Sequence, residues 1–182
     1  MTALPITIET DLPGEMISAL RTNHAGETGA VWIYKGILSV SRDPSVVAFA
    51  RDHLETEQRH LAWIEHVLDP DDRSVLLPLW RTAGWITGAL PALFGPRAVF
   101  LTIAAVETFV DQHYQDQIDW LKAHGSAPAL RALLRRCQLD EQHHLEDARD
   151  RGRGAKPGFT AKIWVSLVAR GSAAAVALAR RI

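Results

Sequence analysis

Glu57-Gln-Arg-His60 and Glu141-Gln-His-His144 hold the same two residue types at the same separation, and their reading decides the fold. Three residues apart on an α-helix, both side chains lie on one face about one turn from each other and can reach a common point. Around both segments, apolar residues recur at a spacing of 3.6, punctuated by Gly and Pro, with almost no β-type alternation. An all-α chain follows. Helices are expected over about residues 15–40, 45–68, 75–93, 96–124, 128–149 and 160–181, separated by Asp43-Pro44-Ser45, Asp69-Pro70-Asp71-Asp72, Gly95-Pro96 and Gly125-Ser126. Four long helices with two additional apolar or amphipathic ones describe a decorated four-helix bundle, read as a single domain over residues 1–182.

One Glu-x-x-His pair is a weak signal, because both residues are common on helix surfaces. The arrangement strengthens it: Glu27 lies 30 residues before Glu57, and Glu107 lies 34 before Glu141, each on the preceding long helix. Glu, ExxH, Glu, ExxH, one unit per helix, is the ligand set of di-iron and di-manganese carboxylate bundles. Four carboxylates balance two divalent ions in a low-dielectric core where an uncompensated charge would be very costly. Carboxylates and imidazoles with open positions suit Fe(II) and next Mn(II), whereas structural zinc prefers cysteine in a closed tetrahedron. The expected ligands are Glu27, Glu57, His60, Glu107, Glu141 and His144, with two ferrous ions per chain. Asp140-x-x-His143 has the same spacing in an overlapping register. One residue is about 100° of helix, so only one pair can face the core. Glu141 and His144 are preferred, since the other helix uses Glu and Leu145 and Ala148 flank that face.

A second repeat accompanies the first. The two tyrosines, Tyr34 and Tyr114, each follow a proposed ligand, Glu27 or Glu107, by seven residues, two turns less about 20°. Each is expected on the face of its glutamate, one to each half of the site, as a hydrogen-bond donor or redox-active phenol. His24 reads as a hydrogen-bonded helix histidine, and His53, His66 and His124 as surface residues.

Composition narrows the function class. The lone Cys137 leaves no disulfide framework or multi-cysteine metal site and reads as a small buried hydrophobe. A net charge of −1 argues against a nucleic-acid coat, and no nucleic-acid partner is expected. The N-terminus shows no basic and apolar leader, so export is not expected. The longest apolar stretch, Thr82 to Val106, is broken by Gly, Pro and Arg97 and reads as a helical hairpin dipping into an interface rather than a membrane span. Leu76, Leu77, Leu79, Trp80, Trp85, Ile86, Leu90, Leu93 and Phe94, together with the last helix, where Ile163, Trp164, Val165, Leu167 and Val168 are expected opposite Lys162, Arg170, Arg180 and Arg181, form a candidate membrane-facing surface. From Arg149 onward there are eight basic residues and one acid; the preceding residues hold twelve basic and twenty acidic. The tail suits anionic headgroups, and the acidic excess suits a metal site.

His24-Ala-Gly-Glu27-Thr-Gly-Ala followed by Ile33-Tyr34, Glu57-Gln-Arg-His60-Leu61, Ala105-Val-Glu107 running to His113-Tyr114-Gln-Asp-Gln-Ile118, and Asp140-Glu141-Gln-His-His144 resemble the demethoxyubiquinone hydroxylase family of ubiquinone biosynthesis. The resemblance runs from about residue 18 to the C-terminus. It implies a ferritin-like di-iron monooxygenase that uses O₂ to hydroxylate the ring of a polyprenylated demethoxy-benzoquinol in the penultimate step, with iron ligands at the six positions above. His113 and Tyr114 match a His-Tyr pair kept near the iron, so His113, Tyr114 and Tyr34 are the candidate catalytic residues. No dinucleotide-binding glycine fingerprint is present, which makes NADH or reduced quinol an external electron donor. A homo-oligomer or a lipid-binding partner of the ubiquinone pathway is a further candidate partner. The expected location is peripheral, on the cytoplasmic face of the inner cell membrane or the matrix side of the mitochondrial inner membrane. Another ferritin-like di-iron oxidase, acting on tRNA or as a peroxidase, and an iron-storage ferroxidase are the competing readings.

Overall fold

The computed structural model describes residues 12–154 and 158–182. The N-terminal stretch read for a leader, and residues 155–157 of the loop before the last helix, lie outside them. Six α-helices lie among these described residues, in the expected order: α1 Gly14–Val40, α2 Pro44–Val67, α3 Leu77–Ala92, α4 Pro96–His124, α5 Pro128–Arg151 and α6 Phe159–Ala179. Among the described residues there are no strands. Asp43 starts α2 by accepting hydrogen bonds from the backbone amides of Ser45 and Val46, with Pro44 in the first turn where its missing amide costs nothing. The Asp69 run, expected as a loop, makes a single 3₁₀ turn over Pro70–Asp72, with the Asp69 carboxylate accepting from the Asp71 amide. Gly125, at φ 60, closes α4 in the left-handed conformation.

Two hydrophobic clusters fix the chain directions. One unites Met16 and Leu20 of α1, Trp63 and Ile64 of α2, Ile118 and Leu121 of α4, and Leu130, Leu133 and Leu134 of α5. The other unites Ile33 and Ile37, Val46 and Phe49, Val99 and Ile103, and Ala148 of the same four helices. Helix α1 therefore runs from the first cluster to the second, α2 back, α4 in the same sense as α2, and α5 with α1. Having two consecutive bundle helices parallel requires a crossover, and α3 is that crossover, as in ferritin-like bundles. The four proposed ligand helices are thus plugged by apolar side chains at both ends, with the ligand positions between the plugs.

Helix α3 packs mainly along α1 and only lightly on α4, so it is not half of a tightly paired hairpin. The closeness comes from glycine: a Cβ on Gly84 would collide with the Gly29 carbonyl, one on Gly88 with the Ile33 carbonyl, and one on Gly36 with the Trp85 carbonyl. The Leu93–Phe94 turn that follows is exposed.

Helix α6 is, among the described residues, the one helix long and apolar enough to cross a membrane. It is instead fastened along the bundle at both ends. Trp164 Nε1 donates to Thr102 Oγ1 of α4 at 2.8 Å, and Arg180 pairs with Glu15 of α1. Its cations do not occupy a face of their own, as the sequence suggested. Lys162 and Arg170 share one exposed groove with Phe159, Ile163 and Leu167, while Val168 turns inward. Trp80, expected at the interface, is buried, its indole nitrogen donating to Ser74 Oγ at 3.2 Å.

Candidate metal centre

The six expected ligands converge. Glu27, Glu57, His60 and Glu141 offer ligand atoms within 4.8 Å of one another, as do Glu57, Glu107, Glu141 and His144, and all six residues are buried. Two groups sharing two carboxylates define two adjacent positions. Glu141 Oε1 lies 3.0 Å from His60 Nδ1 while its Oε2 lies 3.2 Å from His144 Nδ1. Glu57 divides in the same way, Oε1 at 3.1 Å from His144 Nδ1 and Oε2 at 3.9 Å from His60 Nδ1. Glu57 and Glu141 therefore belong to both groups, and Glu27 and Glu107 to one each, so the first two would be shared by a pair of ions and the others would each hold one.

The donor atoms fit a pair of cations. Glu27 Oε2, Glu57 Oε1, Glu141 Oε2 and His144 Nδ1 are buried without a hydrogen-bond partner, although His144 Nδ1 lies close to two of those oxygens. Buried polar atoms are otherwise almost always satisfied, so four orphans aimed at shared points are the signature of a ligand cage. Burial and the charge of Glu57 push Glu27 well above its ordinary range, and burial and Glu141 do the same for Glu107. Burial works to discharge His144, but the carboxylates of Glu141 and Glu57 outweigh it and hold the imidazole up at about 11.

Each half of the centre is braced differently from the expectation. Tyr34 donates to Glu107 Oε1 at 3.2 Å, and Tyr114 donates to Glu27 Oε1. Each phenol thus reaches across to the glutamate of the other half, tying α1 to α4. Burial, then the neighbouring glutamate, raises both phenol pKa values, so they stay hydrogen-bond donors. On α5, Glu141 and His144 face the core and His143 is exposed, so the preferred pair is the one turned inward. Asp140 is not idle: its Oδ2 accepts from His60 Nε2 at 3.2 Å, leaving Nδ1 turned to the carboxylates.

His113 is not in either ligand group. It lies beside a cavity of about 660 Å³ together with Thr22 and Phe109, its Nε2 2.9 Å from Thr22 Oγ1. Burial lowers its pKa to about 4, so it is neutral at physiological pH. The cavity floor includes Glu27, Glu57, Glu107 and Glu141, and its walls are apolar residues of α3 (Leu79, Ala83, Ile86) and α6 (Leu167, Val168, Val176). Neither His60 nor His144 lines it. His24 behaves as expected, hydrogen-bonded to Glu65 at 3.3 Å. His66 and His124 are exposed, and Cys137 is buried.

His53 does not lie at the surface. It is 1% exposed, with Nε2 bonded to Asp147 Oδ2 at 3.1 Å and its ring 4.0 Å from that of His144. The signal was available: His53 precedes His60 by seven residues, and Asp147 follows Asp140 by seven, the interval that also relates the tyrosines to their glutamates.

Comparison with known proteins places this geometry. A family model described as ubiquinone biosynthesis protein COQ7 matches residues 15–179. The chain belongs to the COQ7 family. It is 37% identical over 162 residues to the 3-demethoxyubiquinol 3-hydroxylase of Rhodospirillum rubrum, covering 84% of this chain and 76% of that one. It is 29% identical over 167 residues to the mitochondrial NADPH-dependent 3-demethoxyubiquinone 3-hydroxylase of Caenorhabditis elegans, covering 90% and 88%. A 3-demethoxyubiquinol 3-hydroxylase of Paracidovorax citrulli shares 31% over 153 residues, covering 83% and 73%. As a COQ7 family member the chain is a hydroxylase of ubiquinone biosynthesis, and these relatives favour neither iron storage nor the other di-iron reactions.

Proposed function

We propose that the chain is a di-iron monooxygenase that hydroxylates the ring of a polyprenylated demethoxy-benzoquinol with O₂, working as a peripheral protein on a membrane. The observation that carries this is one continuous path: an apolar cleft between α3 and α6 whose floor is the carboxylate cage. Bound in that cage, two ferrous ions would supply the electrons and Lewis acidity that activate O₂. The chain supplies the rest. Glu57 and Glu141 hold both positions together, and Glu27 and Glu107 hold the ends. Tyr114 and Tyr34 fix those end carboxylates by donating to them. The cleft strips water from the ring and orients it over the floor, with neutral His113 among the polar groups on its wall. A prenyl tail leaves between α3 and α6, beside the small cluster in which Trp80 and Leu77 pack near Ala175 and Ala179, toward the exposed Leu79, Ile86 and Leu167. Electrons for the next cycle come from reduced nicotinamide or quinol; two of the relatives are named NADPH-dependent.

The test is direct. Anaerobic protein loaded with Fe(II), given a demethoxy-quinol and then O₂, should bind two irons per chain and yield hydroxylated quinol. Oxygen uptake with iron mineral and no hydroxylated product would overturn the reading in favour of storage.

Loading should be pH-dependent in a defined sense. Glu27, Glu107, His60 and His144 all have raised pKa values and hold protons that a divalent ion must displace. Metal affinity should therefore rise with pH, with proton release measurable by calorimetry in buffers of different ionisation enthalpy. Affinity independent of pH from about 6 to about 8 would contradict the assigned ligands.

Membrane attachment is tested on residues outside the cleft. Phe94 and Ile163 are 76% and 53% exposed. The double variant Phe94→Glu/Ile163→Glu should lose most sedimentation with anionic liposomes while binding iron normally. Unchanged sedimentation would remove the membrane assignment.

A further inference from the structure

The two halves of the cage are not equally supported. His60 has a carboxylate at its back, Asp140, which immediately precedes Glu141 on α5. The corresponding place before Glu57 is Thr56, whose hydroxyl accepts from Arg59 instead. Among the described residues, the carboxylates within 4 Å of His144 are its own cage partners, Glu57 and Glu141. What His144 has at its back is His53, whose ring meets it edge-on at 4.0 Å and 75°. His53 is itself locked. Its Nε2 bonds Asp147, and Phe49 packs on it at 4.2 Å between centroids. A fully buried imidazole is costly unless it is hydrogen-bonded, and Asp147 supplies that bond.

We infer that His53, pinned by Asp147, is the positioning residue for His144, and that it sets the metal affinity of one cage position without ligating the ion. A ligating histidine works only if its ring is held at the angle that aims the donor nitrogen, and supports of this kind typically change metal affinity by about 10–100-fold. His60 receives that support by a direct hydrogen bond, whereas His144 receives it through a ring wedged against it and fixed one step further out. The position formed by Glu57, Glu107, Glu141 and His144 is accordingly the more weakly held of the two, and the ions load in order.

This rests on the proposed two-ion cage, and the experiment separates the two. Metal-free full-length protein is titrated anaerobically with Co(II), reading stoichiometry and the ligand-field absorption of each ion. The wild type should take up two ions in two steps. Asp147→Ala and His53→Phe, the latter keeping the ring but not the bond to Asp147, should weaken the second step about tenfold and alter its absorption alone. Thermal melting of the metal-free variants monitors the fold. Two wild-type-like steps in both variants would overturn the role of His53 while leaving the cage intact. Equal weakening of both steps would overturn it too, by showing a general structural effect. Failure of the wild type to bind two ions would overturn the cage and this inference together.

Discussion

Glu141→Ala should empty both metal positions and reduce hydroxylation by on the order of 10³-fold or more, since bound metal contributes several kcal/mol of transition-state stabilisation. Its two oxygens face different histidines, Oε1 toward His60 and Oε2 toward His144, and it belongs to both ligand groups. Glu107 belongs to one group only, so Glu107→Ala should leave one ion bound at the His60 position. Metal analysis after desalting distinguishes these outcomes. Asp140→Asn is the contrasting case. It keeps all six cage residues and removes a charge behind His60, so two ions should still bind at saturation, with about tenfold lower affinity at that position. If Glu141→Ala retained one ion at full affinity, the bridging arrangement would be wrong.

Gly88→Ala should produce the largest stability loss of any single added methyl group, about 3 kcal/mol or more, at the upper end of what overpacking costs. The new Cβ would overlap the Ile33 carbonyl, a backbone atom that no rotamer change can move. Either α3 lifts from α1, or both helices shift. Gly171→Ala in α6 is the control, because nothing lies within 4 Å of the added carbon. There, the better helix propensity of alanine should be neutral or stabilising by up to about 1 kcal/mol. Urea unfolding of the two variants measures the difference. Equal stability would mean that the α1–α3 contact has room the structure does not show.

The helix pattern and the six cage positions were legible because both depend on local spacing. Period 3.6 places the apolar stripe, and i to i+3 places Glu with His, whatever the tertiary arrangement. The Asp140 or Glu141 register was also readable, from Leu145 and Ala148 on the same face. Features that depend on which helix lies opposite were not. Tyr34 and Tyr114 were placed on the correct face, but their cross-pairing with Glu107 and Glu27 needs α1 and α4 to be neighbours across the core. His53 was assigned to the surface although its seven-residue spacing from His60 put it on the inward face, because no partner for a buried imidazole is near it in the sequence. The Asp147 that makes its burial tolerable is 94 residues away. The glycines of α3 were read as interruptions of an apolar run, when they are the contact surface against α1.

The bundle is built of two helical hairpins, α1 with α2 and α4 with α5, each carrying half of the cage. Their backbones approach each other closely at few points, so the join between them is made of side chains, two apolar clusters at the ends and the carboxylate and imidazole cluster between them. Ions bound in that central cluster would act as a rivet. Their removal would loosen the join rather than the hairpins, so amide hydrogens that exchange through separation of the hairpins should gain protection on loading by the full binding free energy, while those released by fraying within one hairpin should gain none.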